Sequence, residues 1–314
     1  MKTRTSLGLA AVASCAALVT AVGIGRDGDG KSARSDSKPS NGPYVALGDS
    51  YTAGPKIPAQ NGRPAGCDRS SRNYPALVAG ELGLKPHEFR DMSCSGAITD
   101  DLFAPQSTGN GVNPAQLSAV SDATQLITLG IGGNDIGFSS MITTCVKVGV
   151  RYQIETRIGD SETNGAPCRD KYVSGDSDEV QAKIEAAGGR LSSVLDDIER
   201  QAPKARVYVV GYPAILPADS SRCARAMGLA PGDVRFLREK EQQLNAMLRN
   251  SAQAAGAVYV DTYASSIGRD ACADRDVRWV EPLIPESAAA PVHPNERGEL
   301  GMARAVLRAV GTTS

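Results

Sequence analysis

Five short strand candidates, most of them apolar runs, punctuate this chain, and amphipathic stretches long enough for helices separate most of them. The candidates are Tyr44 to Leu47, Glu88 to Met92, Gln125 to Ile131 ("QLITLGI"), Arg206 to Gly211 ("RVYVVG") and Ala257 to Asp261 ("AVYVD"). Short segments rich in Val, Ile, Leu and Tyr read as strands, and near-continuous apolarity marks strands covered on both faces. Between them, "NYPALVAGELG" places Pro75 in a first helical turn and Gly83 at a C-cap. "SDEVQAKIEAAGGRLSSVLDDIERQAP" starts on Ser177 as N-cap and sets Val180, Ile184, Leu191, Leu195 and Ile198 along one stripe. "PGDVRFLREKEQQLNAMLRNSAQAAG" begins at Pro231 or Asp233, and a last helix follows "HPNERG". Strands spaced by helices predict an α/β fold: a three-layer α/β/α sandwich with a mostly parallel, five-stranded sheet. No internal repeat or second low-complexity linker breaks the pattern, so residues 43–314 are expected to form a single domain.

The amino end follows another logic. "MKTRTSLGLAAVASCAALVTAVGIG" carries Lys2 and Arg4 ahead of an apolar run from Leu7 to about Ile24, and "RDGDGKSARSDSKPSNGP" follows. This is the anatomy of an export signal (1–25) and a flexible polar tether (26–42), and it predicts secretion. An uncleaved anchor would call for a longer, Leu-rich run. "VASC", Val12 to Cys15, resembles a lipoprotein cleavage box and leaves lipid anchoring through Cys15 as the lesser alternative. Apolar residues continuing past Cys15 weigh against it.

Lys plus Arg (34) balances Asp plus Glu (35), a formal net charge of −1, and aromatics are 4% of the chain. Neither feature favours nucleic acid or an anionic membrane as partner. Of seven cysteines, Cys15 falls in the export segment, leaving Cys67, Cys94, Cys145, Cys168, Cys223 and Cys272. An even set in an exported chain reads as disulfides. Spacing does not determine their connectivity; the simplest arrangement joins sequence neighbours, Cys67–Cys94, Cys145–Cys168 and Cys223–Cys272. With two His and no Cys-x-x-Cys pair, no metal site is expected.

The first three strands each end in a short polar or glycine-rich turn: "GDSYTAG" with Ser50, "SCSGAITDD" with Gly96, and "GIGGND" with Asn134. In a flavodoxin-like order, 2-1-3-4-5, these strands are neighbours and the turns converge at one edge of the sheet. A hydroxyl, a backbone N–H and a side-chain amide would share one crevice, which is what acyl transfer needs of a nucleophile and its oxyanion donors. Each residue also has a plainer role. Ser50 could be an N-cap, as could Asp49; Gly96 could serve a turn needing positive φ; Asn134 could brace its own turn. Asp135 reads as a structural or helix-entry residue. "GIGGND" lacks the Lys-Ser/Thr of a P-loop and the later Gly of a dinucleotide fingerprint, so no nucleotide or other cofactor is expected.

A serine nucleophile needs a base, and only His87 and His293 exist. His87, in "LGLKPHEF", reads as a solvated loop residue. His293, in "APVHPNERG", precedes Pro294, which holds it out of a helix. A loop after the fifth strand could swing over the carboxyl edge to Ser50.

"GDSYTAG", "SCSGA", "GGND" and "VHPN" resemble, in order, the four blocks of the SGNH (GDSL) hydrolases, and in particular the secreted, three-disulfide actinobacterial lipases and esterases. The resemblance spans about Pro43 to Thr312. It implies Ser50 as nucleophile, the N–H groups of Ser50 and Gly96 with the Asn134 side chain as oxyanion hole, and His293 as general acid and base. Many members carry Asp three residues before the histidine, where this chain has Ala290. The ring is therefore expected to lean on a backbone carbonyl, Pro291 or Ala290, or on a distant Asp such as Asp261.

The expected activity is hydrolysis of carboxylic esters of acylglycerols through an acyl-enzyme, by a monomer that touches lipid interfaces transiently. Short-chain or carbohydrate esterase and phospholipase are alternatives on the same site, and a non-catalytic binding module is the rival outside enzymes. Activity is expected to rise with loss of the His293 proton above its reference value of about 6.5. The loops "GPKIPAQNGRPAGCDRSSR", "FAPQSTGNGVN" and "MITTCVKVGVRYQIETRIG" are expected to wall the acyl pocket.

Overall fold

The computed structural model describes residues 42–157 and 165–312. The expected export signal, Cys15 and nearly all of the tether lie outside the described residues. Five strands form one sheet: β1 (Tyr44–Gly48), β2 (Phe89–Asp91), β3 (Leu126–Gly130), β4 (Arg206–Val210) and β5 (Val258–Val260). They lie in the order β2-β1-β3-β4-β5 and every neighbouring pair is parallel. β1 pairs with β3 along its whole length, from Tyr44 opposite Leu126 to Gly48 opposite Gly130. The segments after Gly48 and Gly130 therefore leave the sheet side by side.

Five longer helices cover the sheet: α1 (Tyr74–Glu81), α2 (Phe138–Arg157), α3 (Glu179–Gln201), α4 (Pro231–Ala254) and α5 (Glu296–Val310). Side-chain caps set several of their starts. Asn73 accepts from the N–H of Ala76, Asp178 from that of Gln181, and Asn295 from those of Arg297 and Gly298. The cap of α3 is thus Asp178 and not Ser177: the two residues form one side of a small hairpin with Val173 and Ser174, and the helix starts directly after it, at Glu179. Pro231 opens α4; Asp233 instead accepts from the N–H groups of Cys168 and Arg169.

One expectation is corrected. Most of "MITTCVKVGVRYQIETRIG" is not a loop: residues 141–157 belong to α2. Alternating Val146, Val148 and Val150 around Gly149 disguise the helix. Gly149 is there because the helix runs against residues 228–230, and a Cβ on it would lie 2.4 Å from the Gly228 carbonyl oxygen.

Alternation along the strands divides the core in two. Val45, Leu47, Ile127, Leu129 and Val209 face α3 and α4, meeting Ile184, Leu191, Leu195, Leu237, Leu244 and Leu248. Tyr44, Ala46, Leu126, Tyr208 and Val210 face α1 and α5, meeting Val78, Met302 and Val306. Both faces are dry, which is why the strands read as continuous apolar runs. Disulfides join Cys67 to Cys94, Cys145 to Cys168 and Cys223 to Cys272. The first ties the loop after the Ser50 turn to the segment leaving β2, immediately before Gly96.

Candidate active site

The site begins with a glycine that cannot be anything else. Gly48 ends β1 at φ 155°, and a Cβ there would lie 2.2 Å from Thr52 Oγ1 and 2.5 Å from the Gly130 carbonyl oxygen. The chain can then fold straight into the helical turn Ser50–Ala53 while staying against β3. Gln116, fully buried, braces the same residue by accepting from Gly48 N–H (2.7 Å) and donating to Gly48 C=O (3.0 Å). Asp49 caps the turn, accepting from Tyr51 N–H at 2.9 Å. The cap role is thereby filled, and the Ser50 hydroxyl is left for another partner.

That partner is His293, whose Nε2 lies 2.8 Å from Ser50 Oγ. Its Nδ1 lies 2.7 Å from the Pro291 carbonyl oxygen. A carbonyl only accepts, so Nδ1 carries the proton and the Nε2 lone pair faces the serine hydroxyl. The Ala290 carbonyl takes the backbone N–H of His293 instead. Asp261 is occupied elsewhere, accepting from Ala264 N–H and pairing with Arg249. Burial lowers the His293 pKa, and the Pro291 hydrogen bond raises it by less. The imidazole therefore loses its proton below 6.5, not above it as the sequence suggested.

Gly96 sits at φ 79° in the turn after β2, and the heavy atom nearest to where a Cβ would stand is Gln106 Nε2, 3.8 Å away. Among the described residues, the N–H groups of Ser50 and Gly96 donate to no protein acceptor. Asn134 Nδ2 donates to the carbonyl of Ala97 at 2.9 Å, which uses one of its two hydrogens and ties the β3 turn to the β2 turn. Asp135 turns away from the cleft: its buried carboxylate accepts from the N–H and Oγ1 of Thr99 and from Arg190 on α3. His87 lies exposed in the turn before β2.

Two tyrosines that the sequence did not single out complete the frame. Tyr212, after β4, donates to Asp49 Oδ2 at 2.5 Å and accepts from Gly133 N–H at 2.8 Å, linking the turn of Ser50 to that of Asn134. Tyr51 donates to the Val292 carbonyl at 2.6 Å and lays its ring 4.9 Å from the imidazole. The same argument that placed the first three turns at one edge applies to the end of the fourth strand and could have drawn attention to Tyr212. Burial pushes the Asp49 carboxyl up to about 7, against the hydrogen bonds from Tyr212 and Tyr51 that pull it down. Ser50, Asn134, Tyr51 and His293 open onto a cleft whose other walls include Phe138, Ile142, Leu244 and Leu283. Glu241 also reaches this wall, fully buried, its carboxylate engaged by Ile215 N–H and its pKa driven well above the usual range by burial.

The pattern of the GDSL-like Lipase/Acylhydrolase family matches residues 46–299. Lipase 2 of Streptomyces coelicolor is 38% identical over 270 residues, which cover 85% of each chain. The crystal structure of phospholipase A1 from Streptomyces albidoflavus NA297 superposes with a TM-score of 0.67 at 29% identity, over 86% of this chain and 99% of that one. The extracellular lipase from Streptomyces rimosus superposes with a TM-score of 0.66 at 27% identity, over 85% and 98%. With its four sequence blocks on one parallel-sheet edge and relatives of this kind over most of its length, the chain belongs to the GDSL-like lipase/acylhydrolase family and is a carboxylic ester hydrolase.

Proposed function

We propose that the protein is a secreted, single-domain serine lipase that cleaves acylglycerol esters through an acyl-enzyme on Ser50. Ser50 Oγ attacks the ester carbonyl while its proton passes to His293 Nε2. The Ser50 and Gly96 N–H groups and the free Asn134 amide hydrogen stabilise the oxyanion. Collapse of the intermediate expels the alcohol, which takes the proton from Nε2. Water then repeats the sequence on the acyl-enzyme, releasing the carboxylic acid and restoring Ser50. The carrying observation is the 2.8 Å contact between Ser50 Oγ and a His293 whose tautomer the Pro291 carbonyl fixes. The apolar wall of Phe138, Ile142, Leu244 and Leu283 supports an acyl chain as the group bound. Three disulfides and the extracellular relative support an exported protein.

The test is hydrolysis of p-nitrophenyl esters from acetate to palmitate, with Ser50→Ala alongside. Turnover that grows with chain length and falls by several orders of magnitude in the variant is the expected result; turnover surviving in Ser50→Ala refutes the mechanism. The relative named phospholipase A1 favours a second reading, a phospholipid head group. Emulsified triacylglycerol against phosphatidylcholine vesicles separates the two: preference for the triacylglycerol supports the proposal, and preference for the phospholipid replaces it.

A further inference from the structure

We propose that Tyr51 is a positioning residue for His293, acting through the carbonyl of Val292; the proposal rests on reading Ser50 and His293 as the catalytic pair. A triad aspartate fixes the tautomer and orientation of its histidine. Here Ala290 stands where such an aspartate would be, and the Pro291 carbonyl holds Nδ1 instead. That carbonyl points at the ring only as long as the peptide following it keeps its direction, and the next residue holds an unfavourable conformation. Val292 has φ 59°, in the left-handed region. A β-branched side chain enters it only at a cost in steric strain.

Three contacts hold Val292 there. Its N–H donates to the Glu281 carbonyl at 3.1 Å, its side chain is buried, and its carbonyl accepts from Tyr51 Oη at 2.6 Å. The phenol cannot easily swing away. Its ring lies 4.9 Å from the His293 ring and meets Tyr212 edge-on at 5.1 Å. Tyr51 also follows Ser50 directly in the short helical turn. One side chain therefore carries the position of the nucleophile's turn over to the loop of its base. Without the hydroxyl, Val292 is free to return to negative φ, and the Pro291 carbonyl turns off Nδ1.

The chain's two histidines make this directly observable, since His87 is exposed and serves as an internal reference. ¹⁵N-detected imidazole spectra of the wild type should show His293 as the Nδ1–H tautomer. In Tyr51→Phe we expect a tautomer mixture, an unchanged melting temperature to within a few degrees, unchanged KM, and kcat lower by roughly 10²-fold, the scale set by an ångström-sized misplacement. An Nδ1–H tautomer undisturbed in Tyr51→Phe overturns the proposal, whether or not kcat falls. The spectrum reports on the ground state, so it is independent of the acyl-enzyme reading, which Ser50→Ala tests. Should Tyr51→Phe fail to fold, Val292→Gly supplies a background in which positive φ carries no penalty. There the added Tyr51→Phe change should alter kcat less than about threefold, because the strain that the hydroxyl restrains is gone. A further loss near 10²-fold in that background overturns the route through Val292.

Discussion

Tyr212→Phe removes one oxygen and breaks two linkages at once, so its cost can be built from the geometry. The Tyr212 hydroxyl donates to Asp49 Oδ2 and accepts from Gly133 N–H. Losing the bond to a charged carboxylate costs about 1.5–3 kcal/mol, and stranding the N–H adds about 1–3 kcal/mol. At pH 8.5, where Asp49 is mostly ionised, the two together come to about 2.5–6 kcal/mol. At pH 5 the carboxyl is protonated and the lost bond is a neutral one, so the cost is smaller by about 1 kcal/mol. The sign follows from linkage. The folded-state pKa of Asp49, about 7, lies above its unfolded value of 3.8, so the stability from this group is full below 3.8 and is lost as pH rises through 7. The Tyr212 bond lowers that pKa; without it the pKa climbs further and the loss at alkaline pH grows. Urea unfolding of wild type and variant at pH 5 and pH 8.5, disulfides intact, reads both values by linear extrapolation. A destabilisation equal at the two pH values, or larger at pH 5, refutes the charged acceptor. A value under about 1 kcal/mol at both would mean that the hydroxyl does not link the two turns.

Asn134→Ala should lower kcat by roughly 10²–10³ with KM little changed, the penalty typical of one oxyanion donor; a kcat within threefold of wild type removes Asn134 from the oxyanion hole. The pH dependence of kcat/KM should rise on its acid side with a midpoint below 6.5, because burial depresses the His293 pKa and the base works deprotonated. A midpoint above 6.5 would show that the carbonyl partner outweighs burial.

The inner strands were readable because both of their faces are buried. Tyr44, Val45, Ala46 and Leu47 serve two cores, so β1, like β3 and β4, reads as an apolar run, whereas the bordering strands β2 and β5 each leave a residue exposed, Arg90 and Val258. Ser50, Gly96 and Asn134 could be placed because each follows a strand, and His293 because it precedes Pro294, which restricts its backbone. Helix α2 resisted the same reading. Its valines alternate at period two, and its glycine answers a contact with residues 228–230 that no local pattern reveals. Tyr212 and Tyr51 were missed for a related reason. Their roles depend on hydroxyls reaching partners 163 and 241 positions away in the chain, and nothing in "GYP" or "SYT" distinguishes such a tyrosine from one packed in a core.

The lengths of the outermost strands bear on how copies of this molecule behave together. β2 and β5 border the sheet, and each is three residues long. A bordering strand offers unpaired N–H and C=O groups on which a second copy could build. Here the template ends almost as soon as it begins, and Arg90, exposed at the middle of β2, would face its own charge in an antiparallel, self-centred pairing. The long strands β1, β3 and β4, whose apolar runs would make the most adhesive templates, all lie inside with both flanks taken. The layout that brings three turns together around Ser50 also keeps the stickiest backbone out of reach of neighbouring molecules.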